Sequence, residues 1–155
     1  MVYRDYTPGP PLSDFVDKFW SEEGYAPPHA RERALPTGTI ELIVNLLDDE
    51  TRVFDRQDHD RPRSFRGALI CGAHSGYFVI DTAQQSSTIG VHFEPGGAFP
   101  YLGLLAHELR DAHVSLDALW GPNVDELRDR LLEAVTPAAG FRILERALLV
   151  RVGKS

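Results

Sequence analysis

The chain has 155 residues, 43% hydrophobic and 25% charged, the size and balance of one ordinary globular domain that can bury a core without disulfide staples. No window approaches the roughly eighteen apolar residues of a membrane span, and Met1-Val2-Tyr3-Arg4-Asp5-Tyr6 has neither an apolar run nor a small-residue cleavage site, so the expectation is a cytoplasmic protein with no membrane partner. The formal charge of −7, from 23 acids against 16 bases, leaves no basic face to release counterions from phosphates, so no direct nucleic-acid binding by this chain is expected.

After Pro10-Pro11, Leu12, Phe15, Val16, Phe19 and Trp20 recur at i, i+3, i+4, i+7 and i+8, which predicts a helix docked on a core, capped by Ser13 and ended by Gly24. Tyr25 to Arg33 has no period and reads as an irregular crossing, and Leu35-Pro36-Thr37-Gly38 then turns the chain. From Thr39 to Leu47 the residues split by parity. Ile40, Leu42, Val44 and Leu46 make one wholly apolar strand face, while Glu41, Ile43, Asn45 and Leu47 make a mixed one.

Asp48-Asp49-Glu50 predicts a hairpin turn into a strand over Thr51 to Phe54, and the charged stretch from Asp55 to Arg66 predicts an exposed loop. Three further strands are expected at Ala68 to Cys71, Tyr77 to Asp81 and Thr88 to Phe93, as an antiparallel meander or small barrel. After Glu94-Pro95-Gly96-Gly97, a tight turn calling for positive φ, the period changes to about 3.6. Short helices are expected within Ala98 to Leu105 and over Leu116 to Trp120, the second capped by Ser115 and stopped by Gly121. Asn123 with Glu126 has the pattern of a capping box ahead of a stripe of Val124, Leu127, Leu131 and Val135. Thr136-Pro137 opens a last helix to about Val152, and so short a link predicts an antiparallel helical hairpin.

The class is therefore α+β in a single domain, 1–155: a helix plus β-rich part over 1–97, and a helical part over 98–155. The last helix carries Phe141, Ile143, Leu144, Ala147, Leu148, Leu149, Val150 and Val152, more apolar surface than one stripe needs. Its surplus, through Phe141, Leu148, Leu149 and Val152, is expected to pair two copies into a homodimer.

Catalytic constellations are not apparent. The histidines His29, His59, His74, His92, His107 and His113 form no His-x-His pair, so no metal is expected. No serine sits in Gly-x-Ser-x-Gly, and Cys71, inside the apolar run Ala68 to Gly72, reads as a buried, inert thiol. The expectation is a protein with no catalytic residues and no cofactor.

The order of several stretches resembles the N-terminal domain of AraC-type bacterial transcription regulators. They are Tyr3-Arg4-Asp5-Tyr6 with Pro8; Leu12 to Trp20; Leu35-Pro36-Thr37-Gly38 followed by Glu41-Leu42-Ile43 and Asn45; Gly90-Val91-His92-Phe93-Glu94-Pro95-Gly96-Gly97-Ala98; and Leu116 to Gly121. The chain departs from that pattern at Thr37, where an aspartate is usual, and at His92, where an arginine is usual. What the resemblance implies is a cupin-like β-barrel that senses an unidentified small-molecule effector, joined to helices that pair subunits, without the helix-turn-helix domain that normally follows. The rival expectation is a stand-alone β-barrel enzyme or carrier for a small hydrophobic molecule.

In either case the ligand site is expected on the mixed strand face. If that face points inward, Glu41, Asn45 and His92 line one cavity, walled by Trp20 and Tyr77. If it points outward, they are ordinary solvated positions. A buried Glu41 needs hydrogen bonds or an internal partner such as Arg66 or His92.

Overall fold

A computed structural model describes residues 1–35, 37–55, 57 and 60–152, the last of these by its backbone alone. The chain forms β1 (Val2–Tyr6), β2 (Val16–Glu23), β3 (Arg31–Ala34), β4 (Glu41–Asn45), β5 (Glu50–Phe54), β6 (Pro62–Arg66), β7 (Ala68–Cys71), β8 (Phe78–Asp81) and β9 (Ser87–Phe93). It continues through α1 (Phe99–Leu102), β10 (His113–Ser115), α2 (Asp117–Trp120), α3 (Asn123–Glu133) and α4 (Pro137–Val152). The fold is α+β, as the change of period predicts.

Its strands make two antiparallel sheets, ordered β1-β2-β9-β4-β7-β10 and β3-β8-β5-β6, instead of the single meander or closed barrel expected. The reason is long-range pairing. β4 lies between β9 and β7, and β2 reaches across to β9, so neighbours in sequence are not neighbours in the sheet.

The largest correction is at the N-terminus. The expected helix over Leu12 to Trp20 is a single 3₁₀ turn, Leu12–Asp14, followed by strand β2. The pairing of β2 with β9 shifts register between Val16 and Lys18, so Val16 and Phe19, three apart, both turn to the core. A 3₁₀ turn that buries Leu12 and a bulged strand thus reproduce a helix-like spacing. The segment Asp55 to Arg66 is also not all loop, because its end pairs as β6 with β5; Arg56, Asp58 and His59 lie outside the described residues. So does Pro36 of the turn expected at residues 35–38.

The six-stranded sheet has two chemically distinct faces. On one, Phe19, Leu42, Val44, Ile70, Ile89, Val91 and Phe93 join Tyr101, Leu116, Val124, Leu131, Phe141, Leu144 and Leu148 in one buried cluster. The cover for the apolar face of β4 therefore comes from the C-terminal helices. The other face looks toward the four-stranded sheet, giving the order helices, six-stranded sheet, four-stranded sheet.

Helix ends follow local chemistry in part. Thr136 Oγ1 accepts from the Ala139 N–H at 3.2 Å, and Gly96 takes φ +76° in the turn before α1. Asn123, by contrast, is inside α3, whose N-cap is Pro122 with no side-chain cap, so the capping box does not form; α2 likewise follows Leu116 with no cap from Ser115. Val135, placed on the α3 stripe by its spacing, is 94% exposed because the helix ends at Glu133. α3 and α4 lie against one another. Phe141 and Leu148, expected at a subunit interface, are buried in the chain's own core, which leaves Leu149 and Val150 as exposed apolar residues of α4. The side chain of Val152 lies outside the described residues.

Phe19 is fully buried, with its ring 6.0 Å from Tyr6 and 6.4 Å from Phe141, tying β1 and α4 to the sheet. Phe19→Ala is expected to cost about 3–5 kcal/mol in urea unfolding, while Val135→Ser changes stability by less than about 0.5 kcal/mol.

Candidate functional site

A cavity of about 400 Å³ lies between the two sheets, within the range that holds small molecules. Parity builds it. The residues that alternate with the core face of the six-stranded sheet form its floor, and Ala34, Val53, Phe78 and Ile80 of the other sheet line the opposite side.

The register orders the floor into rows. Lys18, His92, Glu41, Cys71 and His113 are successive cross-strand partners on β2, β9, β4, β7 and β10. The next row is Trp20, Gly90, Ile43 and Leu69, and beyond it lie Glu22, Thr88 and Asn45. An apolar band thus separates two polar rows, which lie about 13 Å apart along the strands. Gly90 is required where it stands: a Cβ there would come within 2.5 Å of the Trp20 ring, so the missing side chain is what lets the indole lie over β9.

Of the residues the sequence nominated, Glu41, Asn45, His92 and Trp20 all line this cavity. Tyr77 does not. Its ring packs under the Arg33 guanidinium, 4.7 Å away, beside a neighbouring depression, and the adjacent Phe78 takes the wall position with Ile80, two residues on along the same face of β8.

His92 Nδ1 lies 2.8 Å from Glu41 Oε1 and its Nε2 3.3 Å from Thr39 Oγ1, so His92 is the internal partner of Glu41. Arg66 instead pairs with Asp49 and Asp125 at the surface. The Asn45 amide is consumed by the turn after β4: Oδ1 accepts from the Leu47 and Asp48 N–H groups at 2.9 and 3.1 Å, and Nδ2 donates to Glu50 O at 3.2 Å. Asn45 shapes the wall but offers its side chain to the turn.

Several lining residues escaped the sequence reading, Thr51, Thr88 and His113 among them. Trp20 Nε1, Thr51 Oγ1, Thr88 Oγ1 and His113 Nδ1 are buried polar atoms with no hydrogen-bond partner among the described residues, and all four belong to residues lining the cavity. Such groups are costly to bury unmatched. Glu22 and Lys18 also line it; a strand reading of residues 16–23 would have placed both beside Trp20 by parity. His113 packs against the rings of Phe78 and His74, 4.6 and 4.7 Å away, and burial, helped by His74 and Arg63, pushes its pKa down to about 3. Cys71 is half-buried on the cavity floor instead of fully buried, and desolvation, helped by Glu41, pushes its thiol up to about 12. Among the described residues no group of three or more His, Cys, Asp or Glu side chains is arranged to hold a metal ion.

Fold and site together define an α+β protein with two antiparallel sheets and a polar-ended cavity between them. The chain belongs to the family described as a domain of unknown function, DUF6597, which matches residues 4–115, from β1 through β10. No curated protein matches the chain. Among the described residues no helix is long and apolar enough to cross a membrane.

Two consequences are measurable. At pH 8 the Cys71 thiol stays protonated, so Ellman's reagent is expected to leave the native protein unlabelled and to react once it is unfolded; rapid native labelling contradicts this. For His113 the folded pKa lies below the unfolded value, so between pH 6.5 and about 3 the unfolded state binds the extra proton. Stability is therefore expected to fall as pH drops below 6.5, by at most about 1.4 kcal/mol per unit from this group, and His113→Phe should flatten that part of the profile.

Proposed function

We propose that this chain is the effector-sensing domain of an AraC-type transcription regulator, and that its C-terminal helices pair two copies. The observation that carries the reading is the cavity between the sheets, with buried polar groups on its wall that lack partners among the described residues. The stretches that resemble the regulators converge on it. Glu41 and Ile43 supply part of its floor, Gly90 seats the Trp20 ring, and His92 turns toward Glu41. Leu119-Trp120-Gly121 anchors the helical part, where Trp120 Nε1 donates to Tyr101 O at 2.8 Å under the Arg151 guanidinium.

In this reading the effector fills the space between the sheets and bridges them. Trp20, Glu41 and His92 from one sheet and Phe78 from the other are brought to one ligand. The exposed Leu149 and Val150 of α4 supply apolar surface to the second subunit. The chain acts by binding, with no catalytic residues and no cofactor, and leaves DNA to a separate domain.

A thermal-shift screen with a metabolite panel tests the sensing role. At least one compound is expected to raise the Tm of the wild-type chain, and Trp20→Ala and His92→Ala should abolish that rise while remaining folded. Leu149→Glu is expected to convert a dimer to a folded monomer by sedimentation velocity. A panel without any stabilising compound, or a wild-type chain already monomeric at high concentration, overturns the corresponding half; turnover of a bound compound would make the chain an enzyme instead.

A further inference from the structure

The charges around the cavity are not balanced at its Glu22 end. Glu22 is half-buried in the wall and has no hydrogen-bond or ion-pair partner among the described residues. Burial holds its carboxyl above the usual carboxylate range, and the carboxylates of Glu41 and Glu32 add to that. Lys18 is the one Lys or Arg among the described lining residues, and it stands in the other polar row, about 13 Å from Glu22 along β2, with its Nζ 5.6 Å over the Tyr3 ring. Leaving a carboxylate unpaired in a partly enclosed wall is costly, and the cost is relieved by a cation.

Two independent features stand beside Glu22. Thr88, its direct partner across the β2–β9 ladder, is 1% exposed and has a buried hydroxyl without a hydrogen-bond partner among the described residues. Trp20 shares the strand face with Glu22, about 7 Å along β2, and its indole is held over Gly90. A carboxylate, a hydroxyl able to accept an N–H, and an indole ring together match the needs of an ammonium group. Beyond them the floor continues as Ile43 and Leu69 under Phe78 and Ile80, which suits an apolar body.

We propose that the cavity takes a small cationic amine with an apolar body, its ammonium held by Glu22 and Thr88 beside the Trp20 ring and its body lying across Ile43 and Leu69. This rests on the sensing role proposed for the same cavity and specifies the chemical class of the effector. The charge of the ligand follows from the site: an anion would face Glu22 and Glu41, and a neutral molecule would leave the Glu22 charge uncompensated.

Three probes with one phenylbutyl body separate the possibilities by isothermal titration calorimetry: 4-phenylbutylamine, 4-phenylbutan-1-ol and 4-phenylbutyrate. The amine is expected to bind the wild-type chain at least about tenfold more tightly than either of the others. Glu22→Gln should bring the amine to the affinity of the alcohol and leave the alcohol unchanged, which also shows that the variant is folded. If the alcohol or the carboxylate binds as well as the amine, or if Glu22→Gln keeps the preference, the cationic class is wrong and the cavity still binds ligands. If none of the three binds at millimolar concentration, the amine class fails, and the sensing role is decided separately by the thermal-shift panel.

Discussion

The pairing of β4 with β9 is the constraint on which the rest depends. In the observed register Leu42 and Val44 stand beside Val91 and Ile89 on one face, and Glu41 stands beside His92 on the other. A slip of one residue would carry Glu41 and His92 into a core that holds no partner for either and lift the aliphatic residues into the cavity. Burial on one face and a hydrogen-bonded pair on the other therefore select the same register.

From that register the layers follow. The apolar face needs cover, and α1 to α4 supply it; the mixed face is left for the four-stranded sheet, which meets it with Phe78, Ile80 and Val53 and leaves a cavity between. Glutamine 84 helps hold the second sheet in place without entering the main core. Gln84 accepts from the Arg52 N–H and donates to Glu50 O, both at 2.8 Å, and so ties the segment before β9 to β5. Arg128 on α3 spans the layers from the other side, donating from Nε and a terminal nitrogen to Asn45 O at 3.1 and 3.0 Å. The turn after β4 is thereby bound to a helix as well as to its own side chain.

The family match and the architecture divide the chain at nearly the same place. Residues 4–115 hold both sheets and every cavity-lining residue except Tyr3, whereas α2, α3 and α4 lie outside that match and contribute to the core behind the sheet. The cavity and the helical packing are thus carried by different parts of the chain but meet on opposite faces of one sheet.

Alternation along residues 40–46 was enough to place Glu41, Ile43 and Asn45 on one face, because strand parity is local and needs no partner to be read. The change to a 3.6 period after Gly97, and the Thr136-Pro137 start of α4, were legible for the same reason. The N-terminal segment was not. A bulge and a 3₁₀ turn put Leu12, Val16 and Phe19 at helical spacing, and the pairing of residues 16–23 with β9, some seventy positions away, decided the strand. Tyr77 and Phe78 are adjacent hydrophobes that parity alone orders but does not assign, and the pairing of Ile80 with Val53 on β5 put Phe78 on the cavity face. Glu22, Thr88 and His113 carry no motif; they stand out because they line the cavity, Thr88 and His113 with buried atoms that lack partners among the described residues, a property of the assembled sheets. The sequence by itself determined the α+β class and the two chemistries of β4, since these rest on local periodicity. Only the tertiary structure decided which strands pair, which polar groups share the cavity and which helical hydrophobes remain exposed, since each depends on residues brought together from distant parts of the chain.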